Sequence, residues 1–134
     1  MIDFRDLIGI PFKADGNDQY GIDCFNLMRA VHKKYGYNIP GTNIAVCASR
    51  EVSNKEIQRN IIKDWVQIEQ PEVPCGVLIK SSNPDFAHHI GTYIGDNKII
   101  HITFTTNSMI ERLYPKYKNR VLGFYKYIGD KSDS

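Results

Sequence analysis

The chain of 134 residues carries three cysteines, Cys24, Cys47 and Cys75, and four histidines, His32, His88, His89 and His101. The nucleophilic form of cysteine is the thiolate, which forms near neutral pH only where the surroundings favour negative charge. Cys24 follows Asp23, a good helix N-cap, and opens a run in which Leu27, Met28, Val31 and Tyr35 recur at spacings of three and four. It therefore stands at the first position of a helix, where unpaired backbone N–H groups and the helix dipole stabilise an anion. Cys47 reads as a loop residue and Cys75 as a strand start, and both are expected to be small buried hydrophobes. An odd cysteine count without a Cys-x-x-Cys pair argues against a disulfide framework and against a zinc site of the usual spacing. No metal or cofactor is expected.

A nucleophilic cysteine needs a base, and the base needs an orienting group. His32 lies inside the helix beside Lys33 and Lys34 and is expected on its solvated side. The other three histidines fall on the two strands of an expected hairpin. Alternation puts His89, Gly91 and Tyr93 on one face, and His88, Ile90, Thr92 and Ile94 on the other. On the next strand Ile100 and Ile102 mark the core face, leaving His101 opposite. A three-residue loop, Gly95-Asp96-Asn97, would pair Ile94 with Lys98 and set Gly91 across from His101. His89 and His101 then become diagonal neighbours, roughly 7–8 Å apart at the backbone, a gap two imidazoles can span. A two-residue loop would send the rings to opposite faces. On spacing alone, the two histidines read equally well as structural residues in satisfied hydrogen bonds.

The elements that must position these groups are legible at coarse grain. The first helix should run from Cys24 to about Tyr35, closed by Gly36. A second should begin at the capping box Ser53-Asn54-Lys55-Glu56 and bury Ile57, Ile61, Ile62 and Trp65 before Pro71 and Pro74. From Gly76 the period changes to two, with strands expected at Gly76–Lys80, His89–Ile94, Lys98–Thr103, Met109–Leu113 and Val121–Ile128. Helices followed by closely spaced strands predict an α+β domain on a mostly antiparallel sheet of about five strands. One domain over residues 1–128 and a polar tail, 129–134, account for the length. A net charge of +2 with interspersed signs is too weak a signal for nucleic-acid binding. The apolar runs are too short to span a bilayer, and the N-terminal acids Asp3 and Asp6 do not suit a secretion signal.

Four stretches together, in this order and spacing, resemble the NlpC/P60 cysteine peptidases. They are Ile8-Gly9-Ile10-Pro11-Phe12, Gly21-Ile22-Asp23-Cys24, His89-Ile90-Gly91-Thr92-Tyr93-Ile94-Gly95-Asp96 and Ile100-His101. The likeness covers about residues 4 to 128 and is closest to versions found among phage tail components, where an aromatic follows the Asp-Cys pair as Phe25 does here. The resemblance implies a papain-like fold, Cys24 as nucleophile, His89 as general base and acid, and His101 as the residue that orients His89. The implied substrate is a peptidoglycan stem peptide, cut between D-glutamate and a diamino acid. Partners would be wall peptides and phage tail proteins, and the protein would act in the cytoplasm or travel in a tail particle.

Three departures bear on activity. A tyrosine that aids the oxyanion in many members is Phe12 here, and losing such a donor costs on the order of tenfold to a thousandfold in rate. Phe25-Asn26 replaces a common Ser-Gly, so of a substrate-amine contact shared by two residues in some relatives only Asp23 remains. No wall-binding repeat is present. Two other readings follow: a feeble or inactive structural component of a tail, or an amidase or acyltransferase on a non-wall substrate.

Overall fold

The computed structural model describes residues 2–40, 64–81 and 89–129. Cys47, His88, the capping box at Ser53 with its helix, and residues 130–134 of the tail lie outside the described residues. A short 3-10 turn, Arg5–Leu7, leads to a two-stranded hairpin of β1 (Asn17–Asp18) and β2 (Gly21–Ile22), then to helix α1 (Cys24–Lys34). Among the described residues six strands follow: β3 (Trp65–Ile68), β4 (Cys75–Ile79), β5 (His89–Gly95), β6 (Lys98–His101), β7 (Met109–Arg112) and β8 (Val121–Tyr127). They form one sheet in the order β3-β8-β4-β5-β6-β7, with every neighbouring pair antiparallel.

Both ends of α1 follow from local chemistry. Asp23 sits in extended backbone, and its side chain accepts a hydrogen bond from the Asn26 N–H at 2.8 Å. At the other end Gly36 takes a left-handed φ of 95°. The Gly36 N–H donates to Lys33 O and the Tyr37 N–H to His32 O, which satisfies carbonyls the helix would otherwise leave unpaired.

The helix lies across β5 and β6. Leu27, Met28 and Val31 are fully buried there with Ile90, Ile100 and Ile102, each contributing about 1.5–3 kcal/mol relative to exposure. The opposite face of the sheet buries a second cluster, in which Val77, Ile79, Ile99 and Phe124 pack under Leu113 and Tyr117.

Two sequence expectations fail here. Trp65, read as the end of a helical stripe, opens β3 and pairs with Tyr127 of β8. Its ring packs edge-on against Tyr127 and His32. The Ile57–Ile61–Trp65 spacing suits a helix, but pairing with a strand distant in sequence fixes Trp65 in the sheet. His32, expected in solvent, is fully buried. Helical geometry sets it on the side of Phe25 and Met28, covered by Trp65 and Tyr37. Its Nδ1 lies 3.0 Å from Met28 O.

Candidate active site

Cys24 is the first residue of α1 and is fully buried. It shares a core cluster with Ile90, Ile100 and Ile102, the chain neighbours of His89 and His101. Backbone N–H groups of the first helical turn surround this position, the arrangement that favours a thiolate or an oxyanion. Asp23 is buried as well, and each of its oxygens accepts a backbone N–H: Oδ1 from Asn26 and Oδ2 from Asp15 at 3.1 Å. Burial pushes its carboxyl up to about 6, against the pull of those two N–H groups. Asp23 thus ties the turn before β1 to the start of α1.

The histidines meet on one face of the β5–β6 hairpin. His89 Nε2 lies 3.2 Å from His101 Nδ1, and the rings stack with centroids 5.3 Å apart. The route to this geometry differs from the expected one. The turn has two residues, Asp96 and Asn97, both at positive φ, and Gly95 rather than Ile94 pairs with Lys98. A bulge between Tyr93 and Gly95 then takes up one residue, so Tyr93 faces Ile99 and Thr92 faces Ile100. The bulge restores the alternation that a two-residue turn alone would have inverted. Gly91 consequently lies against His101, where a Cβ would come within 2.9 Å of the His101 Cβ.

One participant escaped the sequence reading. Glu111 of β7 places Oε2 3.3 Å from His101 Nε2. Its carboxylate is held by Lys116 Nζ at 2.6 Å and by the Tyr117 hydroxyl, which lies 3.0 Å from each oxygen. Burial works to raise the Glu111 carboxyl, but these donors and His101 hold it below the usual range. Burial also lowers His101, although the Glu111 charge opposes this. The signal was available: β7 was expected, and the register His101↔Met109 makes Glu111 a diagonal neighbour of His101 on the same face.

Phe12 bridges to Ile22, two residues before Cys24, and packs against Phe104 with ring centroids 5.3 Å apart. Ser108 binds this segment to the β6–β7 connection: its hydroxyl accepts from Ile10 N–H and donates to Leu7 O. Cys75 is fully buried and its thiol is pushed up to about 11, chiefly by burial, which leaves it protonated and inert.

A family model described as the NlpC/P60 family matches residues 9–125. Its members are in general cysteine peptidases acting on the cell wall. An NlpC/P60 family protein from Bacillus cereus ATCC 10987 is similar in structure, with TM-score 0.61, 20% identity and 92% of this chain covered. A protein described as similar to a lipoprotein of the NLP/P60 family, from Staphylococcus aureus subsp. aureus Mu50, gives TM-score 0.58 at 15% identity over 92% of this chain. This chain spans 37% and 38% of the lengths of those two. No curated protein matches it. Helix, antiparallel sheet and family match coincide over the same residues, and the chain belongs to the NlpC/P60 family.

Proposed function

We propose that this domain is a cysteine peptidase that hydrolyses peptidoglycan stem peptides, with Cys24 as nucleophile, His89 as base and His101 as its orienting partner. The observation that carries the reading is the His89–His101 contact of 3.2 Å on strands packed under the helix that Cys24 begins. His89 turns Nε2 towards His101, so Nδ1 is the nitrogen assigned to exchange a proton with the thiol. In the acylation step the Cys24 proton passes to His89 Nδ1, and sulfur attacks the amide carbonyl. The backbone N–H of Cys24 stabilises the oxyanion. The C–N bond then breaks as His89 protonates the leaving amine. Water hydrolyses the thioester, His89 taking its proton and the thiol regaining one.

The finer assignment is the amide between D-glutamate and a diamino acid, in an enzyme carried by a phage or prophage tail or acting on wall fragments in the cytoplasm. A second reading, an amide hydrolase or acyltransferase on a non-wall substrate, draws on the burial of Phe25 and Asp23. Asp23 already accepts a backbone N–H on each oxygen, and Phe25 lies in the core cluster. Digestion of purified peptidoglycan, with released peptides identified by mass spectrometry, tests both. Fragments ending at D-glutamate support the first reading. No release from any wall preparation, with acyl transfer to another amine, would replace it with the second.

A further inference from the structure

We propose that Glu111 is a positioning residue of this site: it fixes the proton on His101 Nε2 and, through His101, the tautomer of His89. The inference rests on the assignment of Cys24 and His89 above.

A carboxylate can only accept, so the His101 Nε2 that faces Glu111 Oε2 at 3.3 Å must carry hydrogen. A neutral His101 then has a bare lone pair on Nδ1. That atom faces His89 Nε2 at 3.2 Å, and two lone pairs cannot face each other, so His89 Nε2 carries hydrogen too. A neutral His89 is left with its lone pair on Nδ1, the tautomer that can take a proton from a thiol. If His101 were protonated, its Nδ1–H would donate to His89 Nε2 and force hydrogen onto His89 Nδ1, the wrong form for a base.

The surroundings hold His101 neutral while keeping Glu111 charged. From β5, His101 faces the His89 ring. Burial disfavours a proton on His101 and outweighs the charge and hydrogen bond of Glu111, which faces the ring from β7 and favours one. The segment after β7 brings Lys116 and Arg120, whose charges oppose a proton on His101. The Tyr117 ring closes edge-on over the imidazole at 5.5 Å between centroids. Lys116 and the Tyr117 hydroxyl meanwhile aim the carboxylate. The same groups would serve a purely structural network, so the test reads ring protonation directly.

The full chain is labelled with nitrogen-15 at histidine, and the ring nitrogens are assigned by NMR at neutral pH in the wild type, Glu111→Ala and Glu111→Gln. The expected result is hydrogen on Nε2 of both His89 and His101 in the wild type. Glu111→Gln should keep this pattern, because the amide oxygen still accepts, whereas Glu111→Ala should give mixed tautomers on both rings. On wall peptides, Glu111→Ala should lower kcat by about 10–100-fold with KM little changed, and Glu111→Gln should recover most of the loss. Hydrogen on Nδ1 of either wild-type ring, or rings unchanged in Glu111→Ala, would overturn the inference. Should Glu111→Ala not fold, the wild-type pattern decides alone. The tautomers are also read in a Cys24→Ala background, so a failure of the nucleophile assignment appears as residual turnover there and leaves the ring result separate.

Discussion

Gly91→Ala puts the histidine geometry under a small and calculable stress. The added Cβ would meet the His101 Cβ at 2.9 Å and Ile100 O at 3.2 Å. Carbon–carbon contacts settle at about 3.5–4.0 Å, so roughly 0.6 Å must be made up where the backbones of β5 and β6 meet. Neither neighbour is the far end of a flexible side chain, and the strands must part. The His89–His101 contact of 3.2 Å spans the same two strands, and stretching it by that amount takes it beyond hydrogen-bond range. Overpacking of this kind costs about 1–3 kcal/mol. For a domain of this size that lowers Tm by roughly 3–5 °C per kcal/mol. On the proposed roles of His89 and His101, the rate should fall further than stability requires, on the order of a hundredfold, because His89 would lose its orienting partner while the protein stays folded. The assay pairs thermal melts with initial rates on peptidoglycan fragments well below the variant's Tm. A folded Gly91→Ala protein with wild-type rate and Tm would refute the contact between these histidines as the basis of the site.

Stability should depend on pH through two buried groups that act in opposite senses. His32 is pushed down to about 4 from 6.5 by burial, so the folded state resists a proton that the unfolded chain takes up. This stabilisation is complete above about 6.5 and falls by about 3 kcal/mol as pH drops to about 4. Asp23, raised to about 6 by burial, favours the folded state while protonated and loses that contribution as pH rises from 3.8 to about 6. Asp23→Asn should therefore steepen the loss of stability on acidification, measured by urea melts between pH 4 and pH 7; an unchanged slope would count against the buried charge. Phe12→Tyr should keep or raise kcat by up to about tenfold, and a large fall would mean that packing against Phe104 leaves no room for a hydroxyl. Cys75→Ala, in the second core cluster and away from α1, should leave turnover intact while costing about 1 kcal/mol in melts.

Much of this architecture was legible because it rests on short-range rules. The cap at Asp23 and the stop at Gly36 bound α1 to within a residue of expectation. Period-two alternation placed β4 to β8 to within two residues at each end. What escaped depends on partners distant in sequence. The strand β3 is only four residues long and is specified by its pairing with β8, not by its own pattern. The hairpin register came out as expected across Gly91, but through a two-residue turn compensated by a bulge, and nothing local to Gly95 announces a bulge. The lysines beside His32 suggested solvent, whereas the helical period already set it with Phe25 and Met28. Glu111 required the β6–β7 register, which links residues ten apart.

On the proposed mechanism the sulfur of Cys24 forms a covalent bond to substrate, and acid quenching during turnover should trap it. Intact-protein mass spectrometry of the quenched wild type should show an adduct of the acyl fragment that maps to Cys24 and is released by hydroxylamine. Cys24→Ala should show neither adduct nor turnover while keeping its fold. Turnover that persists in Cys24→Ala, or an adduct on another residue, would rule out Cys24 as the nucleophile.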